Sequence, residues 1–382
     1  MYNLCSLPIL NSIVNLDLDL TDDCNMRCVY CFKGEKKPHR MSISVAKEAV
    51  SWLIKASAKS TSININFMGG EPLLEWDVIE QLVPWAKQIS ETHGKSISFS
   101  LTTNLTLMNE HIRSRFDEWN FGVLMSIDGT EEVQNKQRPT IDGISHFDGM
   151  MHWAKSMLRT RPQSDARITI TARYADKLMD GVRFLHDTIG FRNFVIAPAD
   201  ISVWDHKDKN KWLDISRDLR NYVIESYSDN SSNYVNISVF TYYAKEMNEN
   251  TNVIRKSTCG AGKGYLMIDY VGDIWGCHRF DGSCDSQGYG KRLSFGNIFN
   301  EHFNHSLHKC FLDMDHARTK HDRCSNCTLF KNCGGGCPAA NLEETGSIYI
   351  QNENRCWYNN VMYSHTKFIL NKIGNRFVHA VC

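Results

Sequence analysis

Six short β-prone runs alternate with helical stretches across the first two hundred residues, and few folds accept that order. Strands are expected at Leu16–Leu20, Ile63–Phe67, Ile97–Thr103, Val123–Ile127, Ile168–Ala172 and Phe194–Ala197. Helical patterns fall near Ser42–Lys55, Glu75–Glu91, Met108–Trp119, His146–Leu158 and Asp176–Thr188; in the second, Val78, Ile79, Leu82, Val83 and Trp85 recur at near-helical spacing. Strands that alternate with helices build a parallel sheet covered by crossover helices. Six strands suit a partial (β/α) barrel or an open doubly wound sheet. In both, the site lies beyond the C-terminal ends of the strands.

Chemistry enters four residues after the first expected strand, at Cys24, Cys28 and Cys31. Three thiolates at spacing x3 then x2 can grip three corners of a cube-shaped iron–sulfur cluster but not the fourth, where ferredoxin-type clusters use four cysteines. One iron then stays open to a small molecule, as in a catalytic metal site. A structural zinc site is the plainer alternative, closed by His39 or a distant residue.

The charge balance excludes several function classes. Lys and Arg number 43 against 43 Asp and Glu, with a sequence pI near 7.2, and no charge run reads as a nucleic-acid arm or a membrane patch. No apolar stretch approaches the ~18 residues of a membrane span. The first residues, Met1-Tyr2-Asn3-Leu4-Cys5, lack the basic and apolar regions of a signal peptide, so a cytoplasmic protein is expected. In a reducing compartment fourteen cysteines read as metal ligands rather than disulfides. Ten of them lie from Cys259 onward, which sets the expected domain boundary near residue 250.

After the second strand comes Met68-Gly69-Gly70-Glu71-Pro72. Paired glycines admit close backbone approach, Pro72 suits the first turn of a helix, and Glu71 can accept hydrogen bonds from an ammonium group. With the cysteine triplet and the strand order, this run resembles the radical S-adenosylmethionine (SAM) enzymes. The resemblance implies a [4Fe-4S] cluster on Cys24, Cys28 and Cys31 whose open iron chelates SAM. It also implies reductive cleavage of SAM to a 5′-deoxyadenosyl radical that abstracts hydrogen from substrate. It places Gly69, Gly70, Glu71 and Pro72 at the SAM amino group, and Tyr30 and Phe32 around the third cysteine, Phe32 near the adenine. Ser100, Thr102 and Asn104 at the third strand end, and Ser126 and Asp128 at the fourth, resemble positions that bind SAM ribose or carboxylate. Arg138 matches an arginine near the SAM carboxylate. Without the resemblance, Asp128-Gly129 reads as a turn and Asn104 as a helix cap.

The C-terminal pattern is Cys259-x12-Gly272-x4-Cys277, then Cys324-x2-Cys327-x5-Cys333-x3-Cys337, then Cys356. It resembles the SPASM extension of peptide-modifying radical SAM enzymes; alone it would equally suit a pair of zinc ribbons. The resemblance implies two auxiliary [4Fe-4S] clusters, three in all. One would sit on Cys324, Cys327, Cys333 and Cys356, and the other on Cys259, Cys277 and Cys337, with Cys284 as the expected fourth ligand. Cys5, Cys310 and Cys382 are expected bystanders. A hairpin is expected over Tyr265–Cys277, turning at Val271-Gly272-Asp273 and bringing Cys259 near Cys277. Sulfatase-maturing relatives carry an aspartate directly after the second cysteine of this domain; here the residue is His278. His278 and Asp281 are the candidate proton acceptors, and His278 equally suits a structural hydrogen bond beside the cluster.

The expected fold class is α/β: a partial (β/α)6 TIM-like barrel, then a small cysteine-rich SPASM domain with a β-hairpin and helices. The divisions are 1–250, barrel with a bridging helical region, and 251–382, auxiliary-cluster domain with a C-terminal helix. The expected activity is radical modification of a ribosomally made precursor peptide by intramolecular crosslinking, with a carbon–carbon cyclophane favoured over a thioether. Sulfatase-type oxidation or epimerisation of a peptide follows as the alternative, and a zinc-binding interaction scaffold as the alternative of another class. The expected partners are the precursor peptide and a one-electron reductant such as flavodoxin or ferredoxin, with no nucleic acid and no membrane. The 23 residues before Cys24 are expected to be too few for a winged-helix leader-recognition domain, leaving the barrel rim, the region 200–255 or a separate leader-binding protein.

Overall fold

The computed structural model describes residues 13–199, 203–227, 233–248, 259–281, 293–300, 302–314, 317, 322–374 and 376–377. Its first six strands are β1 (Asn15–Asp19), β2 (Ser62–Met68), β3 (Ser96–Thr103), β4 (Gly122–Ser126), β5 (Asp165–Ile170) and β6 (Asn193–Pro198). They pair in parallel and in chain order, as alternation with helices requires.

Between them run α1 (Ile43–Ala56), α2 (Trp76–Thr92), α3 (Glu110–Trp119), α4 (Glu131–Gln137), α5 (Phe147–Thr160) and α6 (Leu178–Arg183). Local chemistry sets the starts. The Ser42 side chain accepts from Val45 N at the head of α1, and the Asn109 side chain accepts from Ile112 N at the head of α3. Asn104 is therefore not the cap of the following helix. The expected helix Asp176–Thr188 is composite: a 3-10 turn over Ala172–Lys177, α6, and a π turn over Phe184–Ile189 that ends at Gly190.

The sheet does not stop at β6. A two-residue strand, β7 (Asn236–Ile237), continues it after α7 (His206–Ser226) and before α8 (Ser238–Asn248). On the other side β8 (Tyr265–Ile268) pairs in parallel with β1, Asn15 opposite Tyr265 and Leu18 opposite Ile268. The expected hairpin follows, with β9 (Asp273–Trp275) antiparallel to β8 and β10 (Gly296–Asn297) antiparallel to β9. The full order is β10-β9-β8-β1-β2-β3-β4-β5-β6-β7, an open ten-stranded sheet of partial-barrel type. The sheet thus runs across residue 250 and joins the cysteine-rich part to the barrel. The last helix, Glu353–Ile373, packs against α7 and α8.

Alternation along the strands separates two environments. Leu16, Leu18, Ile63, Ile65, Phe67, Leu101, Met125, Ile168 and Ile170 are fully buried among the core side chains. The residues between them are mostly polar, and they face the inside of the curve. No helix among the described residues is long and apolar enough to cross a membrane.

Candidate active site

The inner residues Asp17, Asn66, Thr102, Ser126, Arg167 and Thr169 line one cavity of about 1330 Å³. Small-molecule sites usually enclose ~300–1,000 Å³, so this space exceeds the needs of one cofactor. Cys24, Cys28 and Cys31 line it from the loop after β1. Tyr265, His278, Arg279, Glu343, Glu344 and Arg355 line it from the cysteine-rich part.

The cysteine loop is held from both sides. Arg27 N donates to Pro139 O at 2.7 Å and Val29 N to Gln137 O at 2.9 Å, which ties it to the segment carrying Arg138. Gly70 N donates to Thr21 O at 2.8 Å and Glu71 N to Asp23 O at 3.0 Å, which ties it to the glycine pair. A Cβ on Gly70 would stand 1.9 Å from Asp23 O, and one on Gly69, whose φ is +140°, would stand 2.5 Å from Thr21 O. Both glycines line the cavity, but the backbone they admit so closely is the cysteine loop rather than a ligand.

The thiols fit a metal cluster. Burial pushes Cys24 up to about 12 and raises Cys28, and each is raised further by the next cysteine of the triplet. Thiols in such surroundings stay protonated unless a metal ion supplies the opposing charge. Lys36 Nζ lies 3.0 Å from Cys31 Sγ. Among the described residues no three His, Cys, Asp or Glu side chains gather as a single-ion site. Cysteines on a cube each hold a different iron and need not converge on one point.

Glu71 is buried and held by three donors: its carboxylate accepts from Leu73 N at 3.2 Å, Thr103 Oγ1 at 2.8 Å and Asn104 N at 2.8 Å. Burial pushes it up to about 7 against those three donors. The next residue, Leu105, is buried with φ +67°, a left-handed conformation rare for a branched side chain. Asn104 closes the turn, its Oδ1 accepting from Thr106 N at 3.0 Å and its Nδ2 donating to Asn25 Oδ1 at 2.8 Å. Glu71 and Asn104 therefore fasten the β3 end to the cysteine loop as well as facing the cavity.

Asp128, only 1% exposed, is a second hub: it accepts from Tyr30 Oη at 2.5 Å, Arg138 Nη2 at 3.0 Å, Gln137 Nε2 at 3.2 Å and Thr169 N at 2.9 Å. Burial alone would lower the Arg138 guanidinium, but Asp128 raises it on balance. Burial likewise raises the Tyr30 phenol. Tyr30 and Arg138 line the cavity, while Asp128 holds them from behind. Phe32 and Thr102 also line it. Ser100 lies one inward position below Thr102, donates to Asn66 Oδ1 at 3.1 Å and is not among the lining residues; nor is Pro72, which starts the turn leading into α2.

In the cysteine-rich part, Cys277 is buried, and its thiol is raised by burial, then by Cys337 and Cys259, so those three stand together. Cys356 is pushed up to about 11 by burial, then by Cys333, Cys324 and Cys327, so those four form a second group. Gln351 Oε1 accepts from Cys356 Sγ at 3.2 Å, and Asn359 Nδ2 donates to Cys333 Sγ at 3.3 Å. Cys284, the expected fourth ligand of the first group, lies outside the described residues, as do Cys5 and Cys382. The Cys310 thiol donates to Ser306 O at 3.4 Å within its own helix.

The candidate proton acceptors part company. His278 lines the cavity with Nδ1 at 2.9 Å from Tyr265 Oη and 3.1 Å from Asp17 Oδ2. Tyr265 Oη donates to the same Asp17 oxygen at 2.5 Å. Asp281 is not among the lining residues; it is 3% exposed and ion-paired with Lys33, 3.3 Å away. Several residues of this cavity escaped the sequence reading, among them Asp17, Asn66, Arg167, Thr169, Arg173 and Glu343. Asp17 and Arg167 are charged side chains that alternate with buried apolar ones along β1 and β5, and period-2 alternation puts them on the inner face.

Residues 18–150 match the family model described as the Radical SAM superfamily. Uncharacterized protein MJ0907 of Methanocaldococcus jannaschii is 33% identical over 135 residues, 35% of this chain and 45% of that protein, so the chain spans less than half of that relative. Radical SAM cyclopropyl synthase TigE of Paramaledivibacter caminithermalis is 26% identical over 364 residues, 89% of this chain and 71% of that one. A cysteine-type anaerobic sulfatase-maturating enzyme of Clostridium novyi is 23% identical over 333 residues, 83% and 85% of the two chains. Among solved structures, AdoMet-bound anSMEcpe aligns with a TM-score of 0.77 at 19% identity over 97% of each chain. Streptococcus suis SuiB bound to precursor peptide SuiA aligns at 0.65 and 19% identity, over 92% and 77%. At that identity the structural likeness is one of fold.

Proposed function

We propose that this chain, whose N-terminal half carries a radical SAM domain, is an enzyme that crosslinks a ribosomally made precursor peptide within itself. The observation that carries the reading is one cavity of about 1330 Å³ shared by the three-cysteine loop and by Tyr265, His278, Arg279 and Glu343 of the cysteine-rich part. A peptide segment fits beside SAM in such a space, and names such as cyclopropyl synthase and sulfatase-maturating enzyme among the relatives agree with peptide or protein substrates.

In this reading Cys24, Cys28 and Cys31 hold a four-iron cluster, and the two C-terminal cysteine groups hold two more. When bound, the SAM-ligated cluster supplies a carbon-centred radical that takes a hydrogen atom from substrate. The chain's own residues bind, orient and shield. Glu71 fixes the cysteine loop against the β3 end and offers a carboxylate to the SAM amino group. Arg138, steadied by Asp128, lies where the SAM carboxylate is expected. His278 holds its ring toward Asp17 and Tyr265 through Nδ1, which directs Nε2 as the acceptor of the proton that leaves as the ring closes. Cys259, Cys277 and Cys337, and Cys324, Cys327, Cys333 and Cys356, would hold clusters that could take up the remaining electron, with an external reductant needed for the next turnover.

Carbon–carbon closure is favoured over a thioether, in keeping with the ring-forming relative. His278 after Cys277, in place of aspartate, speaks against sulfatase-type oxidation. The test is anaerobic incubation with SAM, dithionite and peptides encoded by short reading frames beside the gene. Formation of 5′-deoxyadenosine together with a peptide lighter by two hydrogens supports the reading. Intact SAM after reconstitution with iron and sulfide would sink it.

A further inference from the structure

Five arginines line the cavity: Arg138, Arg167, Arg173, Arg279 and Arg355. Three are neutralised within the chain. Arg138 meets Asp128 at 3.0 Å, Arg355 meets Glu344 at 2.7 Å, and Arg279 meets Glu343. Arg167 and Arg173 reach no carboxylate at ion-pair distance among the described residues. Arg167 stands on the inner face of β5 between the fully buried Ala166 and Ile168. Arg173 lies in the turn that follows β5.

Arg167 is half-buried in this wall, where a cation drawn from water without an ion-pair partner is costly, while Arg173 is exposed with its guanidinium 5.6 Å from the Tyr174 ring. Burial, then the neighbouring Arg138 charge, pushes the Arg167 guanidinium down. Asp128 offsets this only in part, since its oxygens are engaged by Tyr30, Arg138, Gln137 and Thr169 and it makes no ion pair with Arg167. A carboxylate entering the cavity would meet the planar donors that suit it.

We propose that Arg167 and Arg173 form a carboxylate subsite that takes an acidic side chain of the substrate peptide. It rests on the peptide-modifying reading above and narrows its substrate class to peptides with Asp or Glu near the reacting residue. The other carboxylate in the cavity would be that of SAM. Arg138 belongs to the segment tied to the cysteine loop by Arg27 N to Pro139 O and Val29 N to Gln137 O, whereas Arg167 and Arg173 stand on β5 and in the turn after it. The peptide is therefore the assigned source.

The test uses the full-length, reconstituted protein and a pool of N-acetylated, C-amidated hexapeptides, each with one fixed Asp, Glu, Asn or Gln, captured with SAM present and read by mass spectrometry. Wild type should retain Asp and Glu peptides about tenfold over their amides, a difference near 1.4 kcal/mol, and Arg167→Met should lose the preference. Equal retention of acids and amides by wild type overturns the subsite. Thermal melting of the ligand-free Arg167→Met variant should rise by a few degrees, since an uncompensated charge has gone; a fall shows a structural role and overturns it too. SAM affinity should match in both proteins, and a tenfold loss with the acidic preference intact assigns the site to SAM instead. Wild-type SAM cleavage reports on the parent reading by itself: cleavage without acidic preference removes the subsite alone, and no cleavage removes both.

Discussion

Lys33 Nζ stands 3.3 Å from Asp281 Oδ2, joining the loop just past Cys31 to the loop just past Cys277. The ammonium is also 2.5 Å from Asp19 and 2.8 Å from Asp22. Burial alone would lower the lysine, but Asp19, Asp281 and Asp22 outweigh it and hold it above its ordinary value. Lys33→Met should cost ~3–5 kcal/mol in urea unfolding, because it strands buried carboxylates. Asp281→Asn keeps the volume and leaves Lys33 two partners, so it should cost only ~1–2 kcal/mol. The reverse order would show that Asp281 has a weightier duty than pairing.

Gly70→Ala should be severe. Its Cβ would stand 1.9 Å from a backbone oxygen of the cysteine loop, so that loop must move. Gly94, at φ +68° with nothing within 4 Å, is the control, and alanine there should cost only the ~1–2 kcal/mol of a left-handed backbone. We expect the Gly70 variant to lose iron bound through the triplet while the Gly94 variant keeps it, by iron analysis of anaerobic protein. Equal iron in both would separate the glycine pair from cluster assembly.

The last helix should loosen in acid. His365 Nε2 donates to Ser216 Oγ at 3.1 Å, and Nδ1 accepts from Arg220 Nη1 at 3.5 Å. Burial, then Arg220 and Arg217, pushes the imidazole down to about 4, so it is neutral in the fold. The unfolded chain, with an ordinary value near 6.5, binds the extra proton between pH ~6.5 and ~4, so this contribution is full above that window and lost on acidification through it. The site is partly exposed, so ~1–2 kcal/mol is the expected loss after screening. Melting curves at pH 7 and pH 5 should differ more for wild type than for His365→Gln. An unchanged difference would place the acid sensitivity elsewhere.

The cysteine groups predict an iron count. Anaerobic wild type should carry about twelve irons and as many sulfides, three clusters of four. Cys324→Ala with Cys327→Ala should lower both to about eight and leave SAM cleavage in place. Zinc in place of iron in the reconstituted protein would favour the scaffold reading.

Much of the barrel was legible because its cues are local. Each of the six expected strands overlaps an observed one, and the hairpin turned where Val271-Gly272-Asp273 said it would. β5, expected at Ile168–Ala172, runs over Asp165–Ile170, since a lumen-facing position such as Arg167 takes a charge without leaving the sheet. β7 is two residues long and too short to leave a pattern. The Lys33 cluster and the Asp17–Tyr265–His278 contact join residues far apart in the chain, and no local periodicity encodes such meetings. The glycine pair was legible as a place of close approach, but its neighbour was not, because the Asp23 carbonyl meets Gly70 only once β1 and β2 are paired.

The parallel pairing of β8 with β1 bears on how the chain is made. Translation delivers β1 and its neighbours β2 to β6 long before Tyr265–Ile268 leaves the ribosome. Until then one edge of β1 offers unpaired amides and carbonyls, the kind of edge on which nascent chains join wrongly. A polypeptide stopped before residue 265 keeps that edge open for good. Fragments cut at the apparent domain boundary should accordingly be stickier than the whole.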